Sequence, residues 1–292
     1  MDADLRPRRS VLYMPGANER ALEKAKTIPA DSLIFDLEDA VSPDAKPEAR
    51  DRVCAAAASG DYGLREVVIR VNGLDTQWGA DDLAAAAKAG PAAVLVPKID
   101  RAADIAEVER RLEAAGAPEA TRIWAMLETP SGIFAAREIA TASERLTVLV
   151  MGTNDIAKEL HAEHAPGRAP MQLALQTCLL AARLAGKVIV DGVYNDIKDD
   201  EGFRAECVQG RQMGFDGKTL IHPSQVEPCN EVFAPSAKEV DQAREIITAF
   251  EAAEAEGKGV VTVNGRMIEN LHVENARRAL ALDEAITALQ HG

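Results

Sequence analysis

The sequence lacks any long apolar run. No stretch approaches the roughly 18 residues that a membrane helix needs, and the N-terminal MDADLRPRRS has no apolar core of the kind a signal peptide carries. A membrane-embedded or exported chain is therefore not expected, and a cytoplasmic one is. Positive charge is also in short supply, the formal net charge being −14. A nucleic-acid or anionic-membrane surface would need a basic face to release counterions or attract head groups. An anionic ligand can therefore bind only at a local basic patch. The four cysteines, Cys54, Cys178, Cys207 and Cys229, include no CxxC pair. That spacing gives neither a disulfide framework nor a zinc site, and reduced thiols are expected. Walker and Rossmann glycine patterns are absent too. Aromatic residues are only 4% of the chain against 47% hydrophobic residues in all, so a core must be built from Ala, Val, Leu and Ile.

Eight β-branched apolar runs fill the first three quarters of the 292 residues. They are SVLYMPG (10–16), SLIFDLED (32–39), EVVIRVN (66–72), AAVLVPK (92–98), RIWAMLE (122–128), TVLVMGTND (147–155), VIVDGVYN (188–195) and KTLIHP (218–223). Ala-rich segments of helical period lie between them, bounded by Gly, Pro or Asp. Eight strands alternating with helices predict a closed (β/α)8 barrel, a fold of about 250 residues; a doubly wound sheet is the alternative, because a strand count does not prove closure. After the barrel come a long helical stretch, two short strand-like pieces joined at Asn264-Gly265, a hairpin signal, and a final helix. The expected division is a barrel over 1–233 and a C-terminal lid over 234–292.

Nearly every apolar run ends on a group capable of chemistry: Asp36, Glu38 and Asp39, then Arg70 and Asn72, Lys98, Glu128, Asn154 and Asp155, and His222. In a (β/α)8 barrel these ends converge on one mouth. Magnesium takes hard oxygen ligands, commonly one or two carboxylates with water and substrate completing the shell. Glu128 and Asp155, on adjacent strands, suit it, and Arg70 suits a substrate carboxylate held bidentately. A 2-oxo or 2-hydroxy acid fits that pair. Asp155 before IAKEL also reads as a helix N-cap. His222 before Pro223 reads as a structural hydrogen-bonding group, Trp78 and Trp124 read as core, and Ser131 and Ser224 have no His and Asp partners at triad spacing.

The segments RRSVLYMPGANERALEKA, FDLEDAV, IRVNG, VLVPK, LETPSG, MGTNDIA, GFDGKTLIHPSQ and GRMIEN resemble, in order and spacing, the citrate lyase β-subunit-like (HpcH/HpaI aldolase-type) family, which includes malyl-CoA and citramalyl-CoA lyases and related thioesterases. The resemblance implies a TIM barrel with Mg2+ (Mn2+ as alternative) on Glu128 and Asp155. It implies the substrate carboxylate on Arg70, and an oxo-acid pocket lined by Gly152, Thr153 and Asn154. Glu38 and Asp39 would then position waters or the arginine, or simply form salt bridges. Coenzyme A, as part of the substrate, would be anchored by Arg20, Lys24 and Lys26. Homo-oligomerisation as a trimer or hexamer is implied as well, with the lid closing on a neighbouring subunit.

At the lid the sequence departs from the lyase pattern: GRMIEN carries Glu269 where lyases place aspartate. A carboxylate moved by about one bond length, ~1.5 Å, is a displacement of the size that costs on the order of 100-fold in rate. This favours water activation over carbon–carbon cleavage, as does the likeness of VDGVYN and ENLH to the thioesterase branch. Hydrolysis of (S)-malyl-CoA to malate and CoA is the expected activity, with Glu269 and Arg70 catalytic. The alternatives are a malyl-CoA, methylmalyl-CoA or citramalyl-CoA lyase, or a component of a larger lyase complex. A salt bridge from Glu269 to Arg266 is the structural alternative for that residue.

Overall fold

All eight expected strands form in the computed structural model, which describes residues 6–255, 261–263 and 265–291. They are β1 (Ser10–Pro15), β2 (Ser32–Asp36), β3 (Glu66–Arg70), β4 (Ala93–Val96), β5 (Arg122–Leu127), β6 (Leu146–Met151), β7 (Val188–Asp191) and β8 (Gly217–Leu220). Each pairs in parallel with the next, and β8 returns to β1 through Ser10–Lys218, Val11–Thr219 and Leu12–Leu220. That last pairing makes the sheet a closed barrel and removes the doubly wound alternative. Gly217 permits the seam, since a Cβ there would lie 1.8 Å from the Arg8 carbonyl oxygen.

The strands stop short of the polar tails that the apolar runs suggested. β2 ends at Asp36 rather than 39, and β6 ends at Met151, with Asp155 falling in a helix over Thr153–Glu159. Glu38, Asp39, Glu128 and Asp155 lie beyond the ladder, which frees their backbones to turn across the mouth, whereas Asp36 and Arg70 are the last residues of their strands. Inside the barrel, Val11, Ile34, Val68, Ala93, Leu95, Trp124, Met126, Val148, Val150 and Val190 form one buried cluster. The outer helices turn apolar stripes inward, as in Ala102–Ala114, where Ile105, Val108 and Leu112 are buried at helical spacing. At the end of the barrel where the strands begin, Arg9 forks onto Asp31 at 2.8 and 2.9 Å and Arg8 onto Glu66 at 2.7 and 2.8 Å.

The chain divides into two compact units, Arg8–Glu231 and a second in which the residues from Val232 onward group with Arg6 and Pro7. The C-terminal one holds a helix over Ala237–Ala255, a small antiparallel pair of β9 (Val261–Val263) and β10 (Arg266–Ile268), and a helix over Asn270–His291. Val240, Ala243, Ala253, Ile268, Val273, Ala276 and Ile286 are buried within it. Gly265 has a left-handed φ of 77°, as a tight hairpin turn needs; its expected partner in the turn, Asn264, lies outside the described residues. No described helix is long and apolar enough to cross a membrane.

One buried charge cluster ties β7 and β8 together. Lys218, fully buried, donates to Asp191 at 3.1 Å and Glu206 at 2.7 Å, and Asp191 also accepts from Arg168 Nη1 at 2.6 and 2.7 Å. Burial opposes the Lys218 charge, but Asp191 and Glu206 hold the ammonium above its usual range. Removing one member leaves its partners buried and uncompensated. Lys218→Met is expected to lower the free energy of unfolding by about 3–5 kcal/mol, read by urea denaturation; a loss below about 1 kcal/mol would show that the cluster contributes no stability.

Candidate active site

Arg70 closes β3 and Asp36 closes β2, directly opposite each other in the ladder. Arg70 Nε and Nη2 donate to the two oxygens of Asp36, each at 2.7 Å, the fork-on-fork geometry that only a guanidinium makes. Nη1 reaches Glu38 at 2.8 Å and Asp39 at 3.3 Å. The guanidinium also lies over the Tyr13 ring, 4.8 Å from its centroid. Asp36 accepts in addition from the backbone N–H groups of Glu38 (2.9 Å) and Ala40 (3.0 Å). One buried carboxylate thus fixes both the arginine and the loop that bears the other two acids. The sequence points to Glu38 and Asp39 as the acids around Arg70; the principal partner is Asp36.

Glu128 follows β5 and is 2% exposed. Its Oε1 accepts from the backbone N–H of Lys98 at 2.8 Å. Lys98 has φ of 54°, a left-handed conformation uncommon for a residue with a Cβ, and it aims that N–H at the carboxylate while its own side chain is exposed. Lys98, marked in the sequence by its side chain, therefore serves through its backbone. Gly152 packs flat on Glu128, where a Cβ would lie 2.5 Å from Glu128 Cβ and 2.6 Å from Oε2. Thr153, Asn154 and Asp155 then open the helix over Thr153–Glu159. Its cap position is Gly152, and Asp155 sits in the first turn without a capping bond, so the N-cap reading of Asp155 does not hold. Tyr13, Asp36, Arg70, Glu128, Thr153 and Asp155 line one cavity of about 350 Å³ together with apolar residues such as Met126 and Val193.

The electrostatics of this cavity are unbalanced, with Asp36, Glu38, Asp39, Glu128 and Asp155 facing the single guanidinium of Arg70. Burial, reinforced by Glu38 and Asp155, pushes the Glu128 carboxyl up to about 8. Burial likewise raises Glu38 to about 7, with Arg70 opposing and Asp39 and Asp36 adding to the rise. Such a site lacks positive charge. Among the described residues no group of three or more His, Cys, Asp or Glu is arranged to enclose a metal. Glu128 and Asp155 are two, which matches a magnesium ion bound by one or two carboxylates and otherwise by water and substrate oxygens. The acid excess and the glycine-backed Glu128 fit such an ion.

The other expected site residues are dispersed. Arg20 and Lys24 are exposed on the helix over Glu19–Ala25 that follows β1. Lys26 just beyond it is already paired with Glu23 at 2.7 Å and Asp61 at 3.0 Å. Glu269 belongs to the C-terminal unit; its side chain is exposed, and its backbone N–H donates to His272 Nδ1 at 3.0 Å. The Arg266 side chain is outside the described residues. Asn154 exchanges two amide hydrogen bonds with Asn195, at 3.1 and 2.8 Å. His222 caps the short turn Pro223–Gln225 by accepting from Ser224 N–H at 3.2 Å, in keeping with its structural reading.

A layer behind the mouth escaped the sequence reading. Lys46, 5% exposed, donates to the carbonyls of Leu37 and Glu38, each at 2.9 Å, and to Asn72 at 2.8 Å. Asn72 bonds to Asp82 at 2.6 Å, and Asp82 to Arg50 at 2.6 Å. The FDLED loop is thus held from beneath by a buried lysine within a helix that shows no chemical motif. Only the pairing of a lone lysine with a strand-end Asn at IRVN hinted at it.

A carboxyl raised from 4.5 to about 8 binds a proton in the folded state that the unfolded chain has released, so it destabilises the fold increasingly as pH rises through that window. In EDTA, the melting temperature is expected to fall between pH 5 and 8 more steeply for the native chain than for Glu128→Gln, and the gain on adding Mg2+ to grow over the same range as protons are displaced. Parallel slopes for the two proteins would contradict this. Gly152→Ala, by displacing Glu128, is expected to weaken Mg2+ binding at least 10-fold by titration calorimetry, whereas unchanged affinity would show that the close packing is irrelevant to the ion.

Comparison with known proteins follows the same lines. The pattern described as HpcH/HpaI aldolase/citrate lyase matches residues 9–223, and that of a C–C bond lyase family of the TIM-barrel fold matches residues 169–285. A (3S)-malyl-CoA thioesterase of Cereibacter sphaeroides is 55% identical over 97% of both chains. The citrate lyase subunit beta of Escherichia coli is 40% identical over 96% of this chain and 94% of its own. Among solved structures, the protein CitE of Mycobacterium tuberculosis in complex with magnesium, acetoacetate and coenzyme A superimposes with a TM-score of 0.78 at 28% identity, covering 96% of this chain and 99% of that one. The barrel, the acid-rich mouth and these likenesses together establish that the chain belongs to the HpcH/HpaI aldolase/citrate lyase family.

Proposed function

We propose that this protein is a magnesium-dependent thioesterase that hydrolyses (3S)-malyl-CoA to malate and CoA. The observation that carries the reading is the gathering of Glu128, Asp155 and the Asp36-clamped Arg70 around one cavity in a chain 55% identical, end to end, to a malyl-CoA thioesterase. Glu128 and Asp155 would hold the ion, which when bound would supply Lewis-acid polarisation of substrate oxygens and neutralise charge at the mouth. Arg70 has five N–H donors, four of which meet acids among the described residues. It receives the malyl carboxylate by turning Nη1 away from Glu38 and the exposed Asp39 while Asp36 keeps the fork in place. Gly152, Thr153 and Asn154 form the wall against which the acyl group rests, and Glu38 and Asp39 set the polarity around Arg70.

Residues 234–292 act as a lid that packs on a neighbouring subunit of a homotrimer or hexamer and brings Glu269 to the thioester. Glu269 takes a proton from water as the water oxygen bonds to the thioester carbonyl carbon. The carbon–sulfur bond then breaks, and the proton passes to the CoA sulfur. Arg20, Lys24 and Lys26 bind the phosphates of CoA, with Lys26 exchanging its acidic partners for them. The protein works in the cytoplasm, where CoA esters are available.

A second reading, reversible cleavage to glyoxylate and acetyl-CoA, is favoured by the citrate lyase likeness at 40% identity. The two separate in one assay. Purified protein with (3S)-malyl-CoA and Mg2+ is expected to release free thiol without glyoxylate, and EDTA is expected to stop it. Glu269→Gln is expected to lower kcat at least 100-fold with little change in KM. Glyoxylate without free thiol would establish the lyase, and an unimpaired Glu269→Gln enzyme would remove Glu269 from the mechanism.

A further inference from the structure

A second cavity, of about 480 Å³, lies beside the one that holds Glu128 and Arg70. The two share Thr153 and Val193 and no other lining residue. Thr153 is 3% exposed and is wedged on Gly192, where a Cβ would lie 2.3 Å from Thr153 Oγ1; it has no room to move. Val193, half-buried on the loop after β7, is the other shared residue. The Asn154–Asn195 amide pair joins the same two edges, Asn154 lining the first chamber and Asn195 the second.

Two residues that line the second chamber carry buried hydrogen-bonding atoms with no protein partner among the described residues, Arg168 Nη2 and Thr153 Oγ1. Arg168 is 3% exposed. Its Nη1 is spent on Asp191 and its Nε on Gln209 at 2.8 Å, and its backbone is held at a left-handed φ of 53°. A buried donor left unmet is costly, so the geometry asks for an acceptor from a guest. The charge of Arg168 is already answered by Asp191, and Asp196, Asp199 and Glu206 also line the chamber. An anionic guest is repelled there. An uncharged oxygen on an otherwise apolar chain, passing Met171, Pro166 and Ala205, is the chemistry that fits.

We infer that Val193 determines acyl specificity: it closes the Glu128–Arg70 cavity to all but acyl groups that end in a short 2-hydroxy acid, and the chamber behind it suits a longer substituent ending in a hydroxyl or carbonyl. The inference rests on the reading of the mouth as the site for the 2-hydroxy acid end of a CoA thioester, whose hydroxyl-bearing carbon would lie near Asp155 and so near Thr153, two residues before it. A methylene admitted to or excluded from an apolar pocket changes discrimination by about 10- to 200-fold.

The test compares the native protein with Val193→Ala on three CoA thioesters: malyl-CoA, and its analogues carrying a propyl or a 3-hydroxypropyl group on the hydroxyl-bearing carbon. The corresponding free acids are compared in parallel by thermal shift with Mg2+. Val193→Ala is expected to raise kcat/KM for the hydroxypropyl ester relative to malyl-CoA at least 10-fold, to raise the propyl ester less, and to show the same order in the thermal shifts. Ala205→Trp, placed on an exposed helix position that lines the second chamber, is expected to cancel the gain. Should Val193→Ala unfold, Val193→Cys opens the partition by less and is expected to give a smaller gain in the same order. Unchanged ratios in both assays would overturn the inference, and equal gains for propyl and hydroxypropyl would remove Arg168 from it. If no thioester is hydrolysed by the native protein, the proposed activity falls, while the thermal shifts of the free acids still decide the role of Val193.

Discussion

The two hydrogen bonds between Arg70 and Asp36 are the constraint on which the mouth of this barrel depends. A guanidinium is an open fork on a flexible stem, and ordering that stem costs side-chain entropy. Here β2 and β3 end in register, so the fork meets its carboxylate without a search. Because Asp36 also receives the N–H groups of Glu38 and Ala40, the same residue decides where Glu38 and Asp39 stand. Lys46 holds the carbonyls of that loop from the other side. The acids therefore cannot spread apart to relieve their repulsion. Burial first, and the neighbouring acids after it, raise the carboxyls of Glu38 and Glu128, and a cation is the natural remedy.

The same logic separates the two buried lysines from the exposed ones. Lys46 and Lys218 each satisfy their ammonium with fixed oxygen acceptors and hold loops or strands in place. Lys24 and Arg20 lie on an exposed helix that follows β1, where a flexible cation can meet a phosphate group and release it.

Much of this was legible in the sequence. Eight apolar runs of near-constant spacing could be counted, and the acids and the arginine that end them are the residues that meet at the mouth. Closure was expected from eight strands but not proved by them, because it depends on the pairing of β8 with β1 and on a glycine thin enough to pass Arg8. The sequence does not single out Asp36 as the partner of Arg70, because three acids within FDLED look alike until the register chooses one. Lys98 was read through its side chain, whereas its contribution is a backbone N–H in a left-handed conformation that composition does not reveal. The charge cluster of Arg168, Asp191, Glu206 and Lys218 draws on segments spread over about fifty residues and has no motif. The partition at Val193 is a matter of shape, which no spacing encodes.

The central claim is that Glu128 and Asp155 hold one divalent cation whose affinity derives from the uncompensated acids of the mouth. Electron paramagnetic resonance of Mn2+ titrated into the protein at pH 8 measures this directly, since free and bound ions give distinct signals. One ion bound per chain, competed by Mg2+ and lost in both Glu128→Gln and Asp155→Asn, is the predicted result. Binding that persists unchanged in either variant would place the cation elsewhere and contradict the account.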